Sequence, residues 1–259
     1  MKEKGKNLRR ENAMMRKRVL KAHQKKKDSG SQCSIRGLKK TSLLDYPRNI
    51  CAVIFLGGCN YKCPFCHNPS IVADEGEKIS RKEVIDFLKK RKGLLDGVCV
   101  SGGEPTIHKT LPNLLKTIKK LGMLVKLDTN GSNPVMLEKI IKENLVDYVA
   151  MDIKTSLSRY KEVSGKADNV RKSINILMNS GIDYEFRTTM VPGFVSNTDF
   201  VEICNMLKGA KRFCIQQFNP KQELIDASCR QRIPYTEQEL EIFLNNAKPF
   251  FQHCELRNL

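Results

Sequence analysis

No apolar run in this sequence approaches the roughly 20 residues that a membrane-spanning helix needs. Nothing apolar follows the basic N-terminus, so it does not read as a secretory signal, and the expected compartment is the cytoplasm. Acidic residues are scarce: 28 Asp and Glu stand against 46 Lys and Arg, a net charge of +18. The shortage is uneven, because residues 1–32 hold 12 Lys/Arg and 3 Asp/Glu, half of the excess in an eighth of the chain. That segment has no Phe, Tyr or Trp, which speaks against a surface that stacks single-stranded bases. A basic arm for nucleic acid or an acidic partner stays open beside a solvated extension, or a true start at Met14 or Met15. Hydrophobic residues make up 40% of the 259, which excludes a disordered chain. The expected organisation is a basic, flexible extension over 1–33 and one domain over 34–259.

Cysteines group closely in one place only. Cys59, Cys63 and Cys66 fall within eight positions as C-x3-C-x2-C, followed by His67-Asn68-Pro69. The other seven, at 33, 51, 99, 204, 214, 229 and 254, make no C-x2-C pair and read as small buried residues or free thiols. Thiols packed this closely, without a secretory signal, are more often metal ligands than disulfide partners. A closed zinc site needs four ligands, and Cys51, Cys99 or His67 would have to supply the fourth. A [4Fe–4S] cube on three cysteines instead keeps one iron open.

Apolar runs alternate with helical periodicity along the chain. Strands are expected at about 50–56, 97–101, 123–127, 147–153, 182–190 and 212–218, with a short final strand at 250–256. Helices are expected at about 80–92, 109–121, 134–144, 168–180, 197–208 and 236–247. Ser80 with Glu83, and Thr236 with Glu239, read as capping boxes. Residues 35–47 read as an extended lead-in that turns at Pro47. The alternation predicts parallel β/α units: an open (β/α)6 partial barrel, with a doubly wound sheet as the alternative. Chemistry in both architectures gathers at the C-terminal strand ends.

The unusual residues fall at those ends. Gly102 and Gly103 remove side chains where backbone must come close to a ligand, and Glu104 could accept from an ammonium group; the same Gly-Gly-Glu-Pro could be an ordinary turn. Asp128 could position a ligand, join a small cation site, or serve only its Asn130-Gly131 turn. Asp152 and Lys154, two apart, point the same way from extended backbone, toward a ribose hydroxyl and a carboxylate or simply toward each other. Glu185, Arg187 and Thr189 share the polar face of their strand. Arg187 could meet a carboxylate, or pair internally with Glu185 or Asp152. Gln216 and Gln217 are weaker candidates of the same kind. His108 is expected in the first turn of its helix.

Several of these segments together resemble the radical S-adenosylmethionine (radical SAM) enzymes. Phe65 before the third cysteine fits the cysteine pattern of that superfamily. Gly37 to Pro47, Gly57 to Pro69, Ser101 to Pro105, Leu127 to Gly131 and Met151 to Lys154 are similar to glycyl-radical-enzyme activating proteins, above all those of anaerobic ribonucleoside-triphosphate reductase. The resemblance covers about 35 to 250. It implies a [4Fe–4S] cluster on Cys59, Cys63 and Cys66, with SAM chelating the open iron. It implies SAM contacts from Phe65, the backbone near His67, Gly102, Gly103, Glu104, Asp128, Asp152, Lys154 and Arg187. It implies reductive cleavage of SAM to a 5′-deoxyadenosyl radical that takes a hydrogen atom from a partner's glycine. The partners implied are a glycyl radical enzyme and a flavodoxin- or ferredoxin-like electron donor. The open side of a partial barrel would admit the partner's loop. Pyruvate formate-lyase, another glycyl radical enzyme, a small molecule or RNA remain alternative substrates, and a non-catalytic metal-stabilised interaction protein ranks last. The absence of further close cysteines excludes an added ferredoxin-like insertion.

Overall fold

A computed structural model describes residues 33–163 and 165–257. The basic extension expected at 1–33 lies outside the described residues, Cys33 apart. Eight strands form one sheet in sequence order. They are β1 (Ile35–Ser42), β2 (Cys51–Leu56), β3 (Gly97–Gly102), β4 (Leu124–Thr129), β5 (Tyr148–Asp152), β6 (Asp183–Met190), β7 (Arg212–Gln217) and β8 (His253–Arg257). The first pair is antiparallel and every later pair is parallel. β1 and β8 are edges that do not pair with each other, so the barrel is open as expected.

Beyond the six expected strands, the sheet has one more at each edge, the last being the short final strand expected at 250–256. The lead-in at 35–42 joins the sheet as β1, and 253–257 pairs with β7 as a full parallel strand. The register of β1 on β2 shifts twice, between Ile35 and Gly37 and between Lys39 and Ser42. Such irregularity breaks the alternation by which a strand is read.

The helices are α1 (Pro69–Val72), α2 (Arg81–Lys90), α3 (Leu111–Lys120), α4 (Pro134–Lys142), α5 (Ala167–Met178), α6 (Asn197–Met206) and α7 (Glu237–Ala247). Their apolar faces cover the outer side of the sheet, where Ala52, Ile54, Leu56, Val98, Val100, Val125 and Leu127 are all fully buried. Thr236 and Glu239 form the expected capping box. The box at Ser80 is half formed: Ser80 accepts from the Glu83 N–H, and no bond returns from the Glu83 side chain among the described residues.

The inner face is different in kind. A small cluster of Tyr46, Cys51, Val53, Cys99, Tyr148 and Ala150 lies on it, reaching from β2 and β3 to the start of β5. Toward β4–β8 it turns polar, with Lys126, Asp128, Asp152, Glu185 and Arg187 at alternate positions. Glu185 is 1% exposed, accepts from Tyr148 and takes two bonds from Arg257 of the edge strand β8. A charge buried so deeply is tolerated because it is paired and hydrogen-bonded.

Candidate active site

Seven parallel strands aim their C-terminal ends at one mouth, and the segments that follow them build a cavity of about 290 Å³. Cys59, Cys63, Phe65, Cys66 and His67 line it from the loop after β2. Gly102 and Gly103 line it after β3, Asp128 at the end of β4, Asp152 and Lys154 after β5, and Arg187 and Thr189 from β6. Gln216 and Gln217 complete the wall from β7. Eleven of the twelve residues expected at the site therefore meet around one space.

Glu104 is the exception. It is fully buried and does not line the cavity. One carboxylate oxygen accepts from the Thr106 N–H, the Thr106 hydroxyl and the Thr129 hydroxyl, and the other accepts from the Asn130 N–H at 2.6 Å. Burial lifts its pKa above the ordinary carboxylate value, though those four bonds oppose the rise. In this geometry both Glu104 oxygens are engaged by the chain itself. It ties the turn after β3 to the turn after β4 from behind the wall. Glu104→Gln sets an amide NH2 against one of those donors, and urea unfolding is expected to show a loss of about 1–3 kcal/mol.

The glycines line the cavity and also pack against the chain itself. A Cβ on Gly102 would lie 2.2 Å from the Leu56 carbonyl oxygen, and one on Gly103 would lie 2.0 Å from the Gly58 carbonyl oxygen. The close approach is to the chain's own cysteine loop. Gly103 N–H donates to Leu56 O and Glu104 N–H to Gly58 O, each at 2.8 Å. The two turns thus run side by side as one rigid rim. His108 precedes α3 rather than lying in its first turn, and its Nε2 is 2.9 Å from the Gly57 carbonyl oxygen.

The charged side chains form a line of alternating sign: Lys126, Asp128, Arg187, Asp152, Lys154. Lys126 pairs with Asp128. Arg187 lies 3.5 Å from Asp128 and 2.7 Å from Asp152. Lys154 is 2.8 Å from the other oxygen of Asp152. Burial alone would raise both Asp128 and Asp152, but Arg187 acts on both, with Lys126 on the first and Lys154 on the second, and holds them below the usual carboxylate range. Of the two internal partners foreseen for Arg187, Asp152 takes it and Glu185 pairs with Arg257 instead. Lys126 was not foreseen. It shares the parity of Asp128 on β4, and that was the available signal.

Three cations against two carboxylates leave one positive charge over, and the line ends at Lys154 beside the thiols. Burial pushes the Cys59 thiol up to about 11 and Cys63 up to about 12, with Lys154 partly opposing both. His67 stacks on Phe218 at 6.2 Å, and its Nε2 is buried with no hydrogen-bond partner. Phe65 packs edge-on against Phe194 at 5.1 Å. Among the described residues, no three His, Cys, Asp or Glu side chains converge closely enough to hold a single metal ion. A cubane is wider than an ion and takes thiols that stand further apart. Three thiols, an unmatched cation and an orphaned ring nitrogen around one space fit a three-cysteine cluster with a zwitterionic ligand. Of the fourth ligands considered for zinc, Cys51 lies at the far end of β2 and Cys99 against Lys126, while His67 lines the cavity with its ring stacked on Phe218.

Residues 57–207 carry nearly all of this geometry, and the radical SAM superfamily domain matches residues 53–207. The chain belongs to the radical SAM superfamily. A protein of Methanocaldococcus jannaschii, named as a glycyl-radical enzyme activating enzyme, is 34% identical over 236 residues, covering 87% of this chain and 96% of that relative. A pyruvate formate-lyase-activating enzyme of Clostridium pasteurianum is 29% identical over 189 residues, 68% of this chain and 77% of the relative. The crystal structure of Streptococcus suis SuiB bound to S-adenosylmethionine shares the fold, with a TM-score of 0.60 at 16% identity over 78% of this chain and 48% of that one. The protein is an enzyme, and the cofactors of this radical SAM family are a [4Fe–4S] cluster and SAM. The non-catalytic reading is overturned by this membership. No helix among the described residues is long and apolar enough to cross a membrane.

The radical SAM mouth has one feature that the sequence did not disclose. The segment after β7 crosses to the cysteine loop. Ile225 N–H donates to Cys66 O at 3.2 Å and Asp226 N–H to Pro64 O at 2.9 Å. Leu224 and Cys229 are buried beneath it, and Gln217 Nε2 and Arg232 anchor its far side on Tyr235 O and Pro192 O. β7 neighbours the edge strand β8, and the cysteine loop follows β2, the neighbour of edge strand β1. The open side is therefore bridged at the catalytic end by this strap. Asp226→Pro deletes one of the two donors and also the side chain that accepts from the Ser228 N–H at 2.9 Å, together about 2 kcal/mol. Tryptic cutting at Lys221, Arg230 and Arg232 is expected to quicken about thirtyfold where opening is in rapid equilibrium. An unchanged rate would mean that these bonds do not hold the strap down.

Proposed function

We propose that this radical SAM enzyme activates a glycyl radical enzyme, with anaerobic ribonucleoside-triphosphate reductase as the leading partner. The observation that carries the reading is the convergence of three thiols of one loop with a charge line that ends at Lys154. Cys59, Cys63 and Cys66 are assigned as the cluster ligands. Lys154 and Arg187 are assigned to the methionine carboxylate of SAM, and Asp152 to a ribose hydroxyl. Asp128 holds Arg187 in place. Gly102 and Gly103 bring the rim of the cavity against the amino group, and Phe65 and the His67 backbone flank the ligand. When bound, the cluster supplies the electron that splits SAM into methionine and a 5′-deoxyadenosyl radical. That radical takes one hydrogen atom from a glycine Cα, giving 5′-deoxyadenosine and a glycyl radical on the partner. A flavodoxin- or ferredoxin-like protein delivers the electron. We place the enzyme in the cytoplasm, where its ten free thiols stay reduced.

A second reading keeps the chemistry and changes the partner to pyruvate formate-lyase, in line with the names of two relatives. The test is anaerobic. Reconstituted, reduced enzyme receives SAM with purified ribonucleotide reductase, with pyruvate formate-lyase, or with neither. A glycyl radical signal on the reductase, with matching 5′-deoxyadenosine, supports the leading reading. A signal on the lyase alone moves the assignment to the second. Cleavage that neither protein alters reopens a small-molecule or RNA substrate.

A further inference from the structure

The cavity has two unlike walls. Most polar side chains on the β2–β5 side are already engaged with the chain itself. Asp152 pairs with Lys154, Asp128 and Asp152 both hold Arg187 of β6, Thr129 donates to Glu104, and Asn130 bonds Asn60. On the β6–β7 side, Thr189 and Gln216 are direct cross-strand neighbours. Both line the cavity. Neither side chain makes a hydrogen bond among the described residues. The contrast with the adjacent glutamine is instructive: Gln217 is fully occupied, donating to Tyr235 O at 2.6 Å and accepting from Phe218 N–H at 2.9 Å. Two glutamines stand side by side, one used by the fold and one left facing the cavity.

The chemistry of the reaction proposed above sets a recognition problem. A glycine offers no side chain, so an enzyme that must place its Cα can hold only the neighbouring peptide groups. A peptide group carries one donor and one acceptor. A carboxamide carries both as well, and a hydroxyl can act in either sense. A charged side chain would instead favour an ionised ligand, and the charged line, Arg187 of β6 included, is already paired.

We propose that Gln216, with Thr189 beside it, binds the main chain of the partner's target-glycine segment, the amide accepting from one peptide N–H and donating to a peptide C=O. This rests on the activase reading. It assigns the partner's peptide to Thr189 and Gln216 at the ends of β6 and β7, and leaves the β2–β5 wall with Arg187 to the cofactors. The segment is held in an extended form, the form in which both groups of a peptide unit are free to pair.

The experiment uses the full-length reconstituted enzyme and whichever of the two partner proteins gives a glycyl radical with the wild type. Glycyl radical formation is measured by electron paramagnetic resonance while partner and SAM are varied separately. Gln216→Leu removes the donor and the acceptor at similar size. Losing two hydrogen bonds is expected to raise the partner's half-saturating concentration about tenfold or more, while that of SAM moves less than threefold. Gln216→Asn keeps both groups and is expected to recover part of the loss, which a packing role alone would not give. The melting temperature of each variant separates misfolding from lost recognition. Equal partner saturation in wild type and Gln216→Leu overturns the inference. So does a loss that falls on SAM instead, which would put Gln216 in the cofactor wall. A wild type that cleaves SAM yet marks neither partner overturns the activase reading itself, and the peptide assignment with it.

Discussion

Replacing any one of Cys59, Cys63 or Cys66 by alanine is expected to lower SAM cleavage by roughly a thousandfold or more, with iron and sulfide contents falling well below those of the wild type. The three thiols have no substitutes at hand. None of the remaining described cysteines lines the cavity, and burial raises the thiols of Cys51, Cys99 and Cys214. The size of the effect comes from the electron: without a bound cluster there is no reductant within reach of the SAM sulfur. Cys254→Ala provides the comparison, because that thiol lies on the edge strand β8, and it is expected to keep cluster content within about twofold of the wild type, as surface-proximal substitutions usually do. Loss of cleavage with a full complement of iron and sulfide would contradict the ligand assignment.

Asp152→Ala is expected to be nearly as damaging, for a different reason. Asp152 is the hinge of the charge line, with one oxygen on Arg187 and the other on Lys154. Removing it leaves two cations facing each other with only Asp128 between them and Lys126. Uncovering a buried cation in this way costs about 3 kcal/mol, at the low end of the usual range because these side chains keep 13–24% of their exposure. Chemical denaturation measures that loss. SAM affinity is expected to fall by about tenfold or more, since Lys154 and Arg187 lose the partner that aims them. Asp152→Asn, which keeps the shape and removes the charge, is expected to fall between the two. The carboxyl lies below its ordinary range in the fold. Its contribution is therefore present above the unfolded-state pKa and is lost as pH falls through the folded one, so the wild type and Asp152→Asn should converge in stability in strong acid. Unchanged stability in Asp152→Ala at neutral pH would mean that the line is not a working unit.

The parts that were legible in the sequence share one property: they are local. The cysteine spacing, the glycine pair after β3 and the parity of Asp152 with Lys154 lie within a few residues each, and the strand–helix alternation places them at one mouth. What was missed depends on pairing between distant segments. The contact of Ile225 and Asp226 with the cysteine loop runs through backbone N–H groups, so no side-chain type announces it. Lys126 was hidden between Val125 and Leu127 in an apparently apolar strand, although its inward parity matches that of Asp128. β1 was hidden by its two register shifts. Glu104 was noticed, but nothing in its neighbourhood said that its carboxylate turns inward to Thr129 and Asn130 rather than outward to a ligand.

The central proposal is that a hydrogen atom passes from a glycine of a partner protein to the SAM-derived 5′-deoxyadenosyl radical, giving 5′-deoxyadenosine. The direct measurement is mass spectrometry of the 5′-deoxyadenosine formed with a partner enzyme whose glycines carry deuterium at Cα. The account predicts one deuterium in the product, in step with the glycyl radical on the partner. Product formed in the same amount without deuterium would contradict it, because the hydrogen would then have come from somewhere other than the glycine.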